Sequence, residues 1–247
     1  MNNCLLKGKK VLITAGPTRE YIDSVRYISN NAGGKIGYEL AAYLLQQGAQ
    51  VFLVSGPVKV DLSHPMLTVV KATTGCEMYL ACCRFFEEAD IAIFAAAVSD
   101  YKPKEISRVM ILKEETTLSI KMEKNIDIAG AFARLKRFNQ LTIGFTMDSH
   151  CSLKQAISKL EKKNFDMLVL NNLEAGDKKE YDLPANGTSI LKNDLSIEQL
   201  SSKSKTLVVK DIVMSIAGML KQKHLPVSLY HHSNISNSNS GSRSLTA

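Results

Sequence analysis

The segment formed by residues 27–37, YISNNAGGKIG, combines two side-chain amides, two adjacent glycines and a lysine immediately before a helical pattern. An asparagine amide can donate a hydrogen bond to a developing negative charge without changing its own charge. Glycines at a helix N-terminus leave backbone N–H groups and the positive end of the helix dipole open to an anion. On these residues alone, an anion-binding cradle and a loose connector remain equally open interpretations.

Small and polar residues also follow the apolar runs of the sequence. They occupy positions 16–20, 55–57, 95–100, 144–146 and 171–172. Ligands of open α/β sheets bind in the crevice outside the carboxyl ends of the strands. Small side chains at these ends leave space for a nucleotide or a phosphate. The pattern therefore predicts a ligand site along one edge of a sheet.

Short apolar runs alternate with amphipathic segments, which predicts an α/β fold with a mainly parallel sheet. The expected architecture is a Rossmann-like three-layer sandwich. Strands are predicted at 10–15, 50–56, 66–72, 90–100, 141–146, 166–172 and 187–194, and helices at 35–49, 75–89, 126–138, 152–164 and 204–223. Gly37 is expected to let the first helix pack closely on the sheet.

Residues 101–125 break this rhythm with a proline and a period-2 run at TTLSIKM. They predict an antiparallel excursion from the main sheet, in the form of a hairpin. The whole of residues 1–230 is expected to form a single domain. Residues 231–247 are rich in serine and asparagine without periodicity, which predicts a disordered tail.

Composition excludes several classes of protein. Hydrophobic residues make up 45% of the chain and charged residues 22%, as in ordinary globular proteins. No apolar run is long enough to span a bilayer, and the N-terminus lacks a signal-peptide pattern, so we expect a cytoplasmic protein without a membrane partner. The five cysteines form no CxxC pair, which favours reduced thiols over a metal site.

The net charge of +7 fits anionic partners in general. The lysines are interleaved with acids, whereas a nucleic-acid surface usually clusters basic residues beside exposed aromatics. We therefore expect no nucleic-acid partner. A small anionic substrate would account for the mild basic excess as well as a nucleic acid would.

A dinucleotide-dependent oxidoreductase is disfavoured by the motifs. Residues 32–37 match only the last two glycines of GxGxxG, and the second strand ends without an acid for a ribose. A short-chain oxidoreductase would also require Tyr-x-x-x-Lys, but residues 181–185 read YDLPA. A Walker-type phosphate loop is absent from the sequence.

Six motifs occur in a consistent order and spacing: VLITAGPTREYIDSVRYISNNAGGKIG, LVSGPV, AAAVSDYKP, KNIDI, IGFT and KLEKKNFDMLVLNN. Over roughly residues 8–222 the chain resembles the phosphopantothenoylcysteine synthetase family, also called phosphopantothenate–cysteine ligase. Many bacteria carry this synthetase as the C-terminal half of a bifunctional coenzyme A enzyme. Since the sequence starts at the synthetase half, the resemblance implies a monofunctional enzyme.

The resemblance implies a two-step ligation. The carboxylate of 4′-phosphopantothenate attacks the α-phosphorus of CTP, pyrophosphate leaves, and an acyl-cytidylate forms. The amine of cysteine then attacks the acyl carbon and CMP leaves. Mg²⁺ and basic side chains would neutralise the triphosphate. ATP remains open as the alternative nucleotide.

The resemblance also implies site residues by position. Asn30 matches an asparagine that acts on the acyl-cytidylate. The expected nucleotide-binding residues are Asp100, Asn125, Ile126, Asp127, Ile128, Phe145, Lys159 and Lys163. Possible phosphate contacts are Gly33, Gly34, Lys35 and Lys113. We name no metal ligand.

This chain departs from the family at several of these places. Met110 stands where the family has a lysine that contacts the triphosphate, and a thioether cannot neutralise phosphate. Ile126 replaces a proline, Asp148 a common glutamate and Asn172 a common aspartate. Either Lys113 or Arg108 substitutes for the lysine, or the alignment is locally shifted, or activity is reduced. A nucleotide-binding protein with reduced or lost catalysis is therefore the alternative hypothesis.

The resemblance further implies partners. Family members pair through an extension like residues 101–125, so we expect a homodimer in which this excursion contributes to the interface. An exposed hairpin also requires a surface against which to bury its apolar edge. A separate phosphopantothenoylcysteine decarboxylase is a further possible partner.

Overall fold

An eight-stranded sheet lies at the centre of the computed structural model, which describes residues 4–112, 117–147, 152–171, 187–200 and 205–223. The strands in these ranges are β1 (Lys10–Ala15), β2 (Arg19–Tyr21), β3 (Tyr27–Ser29), β4 (Gln50–Ser55), β5 (Leu67–Lys71), β6 (Ile91–Phe94), β7 (Tyr101–Pro103), β8 (Met122–Lys124), β9 (Leu141–Met147), β10 (Met167–Asn171), β11 (Thr188–Lys192) and β12 (Ile197–Leu200). The helices are α1 (Lys35–Gln46), α2 (Gly75–Phe86), α3 (Ile128–Leu135), α4 (Leu153–Lys163) and α5 (Lys205–Lys223).

The sheet order is β12-β11-β10-β9-β6-β1-β4-β5. The six strands from β10 to β5 are parallel, and β11 and β12 add an antiparallel edge. The prediction of an α/β fold with a mainly parallel sheet is confirmed. Strand order reverses on the two sides of β1, which places a crevice at its carboxyl end.

The sheet separates two apolar cores because successive side chains of a strand point to opposite faces. Val11 and Ile13 of β1 pack in the core formed with α1 and α5. Leu12 between them packs in the core formed with α2, α3 and α4. Since helices cover both faces, the central strands consist almost entirely of apolar residues. This arrangement is the three-layer sandwich that the sequence predicts.

Close packing of α1 on β1 depends on Gly37. A Cβ added at this glycine would lie 2.5 Å from the Cβ of Ala15, a distance that real Cβ atoms do not adopt. Residue 37 can therefore be only glycine without moving the helix. The expected role of Gly37 in helix–sheet packing is confirmed.

Several predicted boundaries are wrong at their ends. The strand predicted over 90–100 ends at Phe94, and the helix predicted over 126–138 spans only Ile128–Leu135. The β2–β3 hairpin and β12 were not predicted by the sequence pattern. The strands concerned have only three or four residues each, which is too short for a periodic signal.

The excursion after β6 is partly as expected. β7 and β8 pair antiparallel, with Tyr101 opposite Lys124. Of the described residues in the period-2 run TTLSIKM, Met122 lies in β8, which forms one side of this antiparallel pair. The predicted tail, residues 231–247, lies outside the described residues. Across the described ranges no helix is long and apolar enough to cross a bilayer. The expected cytoplasmic location stays a prediction.

A buried ion cluster fastens α5 to the sheet at the amino end of β10, on the side opposite the crevice. The Asp166 carboxylate, 2% exposed, lies 2.9 Å from Nζ of Lys136 and 2.8 Å from Nζ of Lys223. It also accepts hydrogen bonds from the backbone N and Oγ1 of Thr142. Burial alone would raise the pKa of Asp166, but these donors hold the pKa below its ordinary value.

We predict that Asp166→Ala lowers the free energy of unfolding by about 3 kcal/mol, because it leaves two partly buried ammonium groups without their counter-ion. Urea unfolding followed by circular dichroism measures this change. Asp194→Ala is the matched control, because the exposed Asp194 carboxylate accepts from the backbone N–H of Ser196 in a surface turn. Equal losses in the two variants would contradict a stabilising role for the cluster.

Candidate active site

The chain segment after β6 leaves the sheet and is held by the loop that follows β1. The Ala97 carbonyl accepts a hydrogen bond from the backbone N–H of Thr18 at 3.2 Å, and Ala97 N donates to the Gly16 carbonyl at 2.9 Å. The N–H of Ser99 donates to Thr18 Oγ1 at 3.2 Å. Residues 97–100, which we call the carbonyl segment, are therefore fixed relative to β1.

Two asparagine side chains bind the carbonyl segment at adjacent positions. Asn30, directly after β3, donates from Nδ2 to the Val98 carbonyl at 3.2 Å. Asn125, directly after β8, donates from Nδ2 to the Ser99 carbonyl at 3.0 Å. Each carboxamide has a second N–H, so Asn30, which is exposed, retains a donor for a ligand. The structure brings together two residues that lie 95 positions apart in the chain.

A cleft of about 180 Å³ opens beside Asn125, at the carboxyl ends of β6 and β9. All eight residues expected to bind the nucleotide line this cleft: Asp100, Asn125, Ile126, Asp127, Ile128, Phe145, Lys159 and Lys163. The sequence analysis missed Thr14 and Phe165, which line it as well. Ala96, Val98 and Ser99 also line it, and they lie within the small-residue run 95–100 that the strand-end pattern predicts as part of a ligand site.

Asp127 combines a structural and an electrostatic contact at the cleft. Its Oδ1 accepts from the N–H of Gly130 at 3.0 Å, which caps α3, and from Nζ of Lys163 at 2.9 Å. Partial burial would raise the pKa of Asp127, but the bonds from Lys163 and Gly130 hold the pKa below its ordinary value. Lys159, four residues before Lys163 on α4, donates to Thr146 Oγ1 at 2.7 Å. The spacing of four brings both ammonium groups to the cleft.

The substitution of isoleucine for the family's proline has a local structural effect. The N–H of Ile126 donates to Oδ1 of Asn125 at 2.9 Å, a bond that proline could not make. With Nδ2 bound to Ser99, both ends of the Asn125 carboxamide are held by the protein. The loop at residues 125–127 is therefore held by a hydrogen bond that a proline at position 126 could not donate.

The glycines before α1 have different surroundings. Gly34 precedes the helix with a φ of 73°, and a Cβ there would lie 2.8 Å from Val58 Cγ1 and 3.1 Å from the Cα of Gly16. Its close approach is therefore to two neighbouring loops. Gly33 has no atom within 4 Å of an added Cβ, and Lys35 begins α1 with an exposed side chain. Phosphate contacts by these three residues stay predictions, and Lys113 lies outside the described residues.

The buried carboxylate of Asp23 connects the β2–β3 hairpin to the excursion. Asp23 accepts from the N–H groups of Val25 at 2.8 Å, Arg26 at 2.7 Å and Ile111 at 3.1 Å. These backbone donors, Arg26 foremost, lower the pKa of Asp23 to about 2, well below the ordinary aspartate value. Arg26 also binds the Ile111 carbonyl through its guanidinium. Met110, half-exposed beside Ile111, lies on this docked segment and does not line the cleft.

The depressed pKa predicts how docking of the excursion depends on pH. Asp23 stabilises the docked state when ionised, so this contribution is complete above about pH 4 and is lost as the pH falls towards 2. We expect Asp23→Asn to loosen the excursion at neutral pH, because the neutral amide loses charge and acceptors. Limited trypsin digestion should then cleave faster after Lys104 and Arg108. Asp194→Asn is the control, and equal rates in both variants would contradict the docking role.

No group of three or more His, Cys, Asp or Glu side chains suited to a metal ion occurs in the ranges that the structure describes.

The carboxylate of Asp100 is exposed at the cleft mouth, and no hydrogen bond or ion pair from another described residue reaches it. It is therefore available to a hydroxyl, an amino group or a hydrated cation.

Comparisons with known proteins identify relatives. The family model "DNA/pantothenate metabolism flavoprotein C-terminal domain" matches residues 6–220. A cysteine/cysteine sulfinic acid decarboxylase from an unknown prokaryotic organism is 38% identical over 214 residues, which are 85% of this chain and 58% of that protein. The coenzyme A biosynthesis bifunctional protein CoaBC of Borreliella burgdorferi is 38% identical over 210 residues, 84% of this chain and 52% of that protein.

The crystal structure of the C-terminal domain of a CoaBC protein superimposes with a TM-score of 0.75 and 32% sequence identity. The match covers 90% of this chain and 100% of that domain. The chain thus spans about half the length of the curated relatives that it matches.

Proposed function

Since the chain belongs to the DNA/pantothenate metabolism flavoprotein C-terminal domain family, we propose that it joins 4′-phosphopantothenate to cysteine in coenzyme A biosynthesis. One observation carries the proposal. The eight positions expected to bind a nucleotide line one cleft, and Asn30 binds the segment that forms its edge. A relative named CoaBC shares this fold at 32% identity, which supports the same chemistry.

In the proposed first step, the carboxylate of 4′-phosphopantothenate attacks the α-phosphorus of CTP and pyrophosphate leaves with its electron pair. The product is a mixed acyl-cytidylate anhydride. Lys159 and Lys163 would bind phosphate oxygens, since both ammonium groups line the cleft. Mg²⁺ would enter with the triphosphate as part of the substrate and would supply further neutralisation of its charge. These groups stabilise the charge that gathers on the leaving pyrophosphate.

In the second step, the cysteine amine attacks the acyl carbon, loses a proton and expels CMP, which forms the amide bond. The second N–H of Asn30 is suited to the oxyanion of this step, because its first N–H is already fixed on the Val98 carbonyl. Fixing one donor orients the other, which reduces the reorganisation required as charge develops.

The size of the cleft bears on how a nucleotide would bind. Its volume of about 180 Å³ is below the roughly 300–1,000 Å³ of typical small-molecule sites. We infer that the enclosed part receives the base and part of the ribose, with the phosphates towards the open side. Asp100, at the mouth, would accept from a ribose hydroxyl or a base amino group.

The decisive experiment measures pyrophosphate release with CTP, Mg²⁺ and 4′-phosphopantothenate, with and without cysteine, and repeats it with ATP. We expect release that depends on CTP, and amide product only with cysteine. Asn30→Ala should retain part of the pyrophosphate release while product formation falls roughly a hundredfold, the effect of losing one oxyanion donor. Acyl-cytidylate should then accumulate, as measured by mass spectrometry.

Three outcomes of these measurements would change the interpretation. If neither nucleotide supports pyrophosphate release, the ligase proposal fails. If the wild type binds CTP without turnover but Met110→Lys turns over, the chain is a nucleotide-binding protein that has lost catalysis through residue 110. Equal loss of both steps in Asn30→Ala would make Asn30 a structural residue.

We also propose a homodimer through the excursion and the hairpin it docks on. Residues 20–27 and 101–118 carry eight of the eighteen large apolar side chains that are exposed in the described ranges: Val25, Tyr27, Tyr101, Ile106, Val109, Met110, Leu112 and Leu118. Monomers rarely leave so much apolar surface in one region. Asp23 joins the two segments, so this surface would be presented as one unit.

We predict that Val109→Asp combined with Leu112→Asp converts the dimer to a monomer, because two carboxylates would be buried without partners. Sedimentation equilibrium measures the mass. Leu80→Asp is the control, since Leu80 on α2 is similarly exposed, at 59%, but lies outside both segments. A wild-type monomer at micromolar concentration, or a double variant that remains dimeric, would contradict this interface.

A separate phosphopantothenoylcysteine decarboxylase as a further partner stays a prediction.

A further inference from the structure

Glu20 is a buried carboxylate that the proposed reaction does not use. It lies in β2, is 5% exposed, and its Oε1 accepts a hydrogen bond from the backbone N–H of Gly75 at 3.0 Å. No lysine or arginine among the described residues forms an ion pair with it. Gly75 is the first residue of α2, so the carboxyl group of Glu20 lies at the positive end of the helix dipole. Burying a polar group is costly unless it is hydrogen-bonded, so this single bond raises the question of what Glu20 positions.

The same glycine leaves room for the cleft residue Asn125. A Cβ added at Gly75 would lie 2.9 Å from Asn125 Nδ2 and 3.2 Å from Glu20 Oε1. Because residue 75 has no side chain, the carboxyl group of Glu20 and the carboxamide of Asn125 can both lie close to its backbone. β2, α2 and the loop after β8 therefore come together at Gly75.

The Asn125 side chain cannot move away from position 75 without losing its own hydrogen bonds. Its Nδ2 is bound to the Ser99 carbonyl and its Oδ1 to the Ile126 N–H. A side chain added at position 75 would therefore rotate the Asn125 carboxamide away from the position in which it lines the cleft. The absence of a side chain at position 75 therefore preserves the position of Asn125.

β2 also fixes the position of Asn30. Arg19 in β2 pairs with Ser29 in β3, and Asn30 follows Ser29 directly. The N–H of Arg19 donates to the Thr73 carbonyl at 2.8 Å, next to the start of α2. The β2–β3 hairpin is thus joined to α2 through both Arg19 and Glu20.

We propose that Glu20 and Gly75 are positioning residues that hold the hairpin bearing Asn30 in register with the nucleotide cleft lined by Asn125. This inference rests on the proposed function, because it assigns the two asparagines to the two steps of one ligation. Glu20 acts through the N-terminus of α2, and Gly75 acts by leaving room for Asn125. Neither residue is required to touch the substrate.

The first test compares Gly75→Ala with Gly218→Ala. Both glycines are helical, but a Cβ at Gly218 would have no atom within 4 Å. We expect Gly75→Ala to raise the KM for the nucleotide roughly tenfold, the size expected for losing about one hydrogen bond. The kcat at saturating nucleotide should change less, and Gly218→Ala should match the wild type.

The second test removes the carboxylate. Glu20→Ala should raise the nucleotide KM, whereas Glu20→Gln, which keeps an oxygen to accept from Gly75, should restore it towards the wild-type value. If Glu20 only capped α2, Glu20→Ala would lower the thermal midpoint while the KM of the remaining folded enzyme stayed unchanged. That result would overturn the proposal.

A third measurement needs no ligand and separates this inference from the proposed function. In protein labelled with ¹⁵N-asparagine, the Asn125 side-chain amide resonance should shift in Gly75→Ala and Glu20→Ala but not in Gly218→Ala. An unchanged resonance in both variants would overturn the positioning role. If the resonance shifts but the wild type shows no nucleotide-dependent pyrophosphate release, positioning of Asn125 stands and the ligase assignment falls.

Discussion

The four consecutive carbonyls of the carbonyl segment organise the site. Those of Ala97, Val98 and Ser99 accept from Thr18 N, Asn30 Nδ2 and Asn125 Nδ2, and that of Asp100 accepts from Asn125 N. β6 ends at Phe94 and an isolated parallel bridge between Pro17 and Ala97 follows it, so the carbonyls of Val98, Ser99 and Asp100 are left for other donors. A backbone that has left the sheet thereby fixes the loops after β1, β3 and β8 relative to one another.

This arrangement restricts which residues can occupy the two asparagine positions. An aspartate has the same shape but no donor when ionised, so it would face a carbonyl with a lone pair against a lone pair. A glutamine, whose side chain is one methylene longer, would have to fit its amide into the same short space between its loop and the carbonyl segment. The amides therefore have a structural reason to be present as well as a proposed chemical one, and the two roles use different N–H groups of the same side chain.

The sequence predicted what depends on periodicity and on local spacing. β1, α4 and β10 lie within a residue or two of their predicted bounds, because apolar runs and helical spacing are local signals. The eight cleft residues were predicted as a set by the resemblance to a known family, and only Asp100 and Phe145 of them also lie in the small-residue runs at strand ends. Glu20, Asp23 and Gly75 were not predicted as a connected group, because their contacts join residues 55 to 88 positions apart. Such contacts exist only once the three-dimensional order of the loops is known.

Met110 changes how charge would be distributed around a bound triphosphate. The resemblance implies a lysine where this chain has Met110, and the structure holds residue 110 on a segment fastened by Asp23 and Arg26. On the proposed reaction, more of the neutralisation then falls on α4, whose Lys163 is paired with Asp127. Asp127 also caps α3 through Gly130, so a phosphate that takes over Lys163 leaves that cap in place. Because the pair is partly exposed, it contributes little stability, and exchanging one anion for another at Lys163 costs little. The lysine that is present can therefore serve the nucleotide without loosening the cleft that receives it.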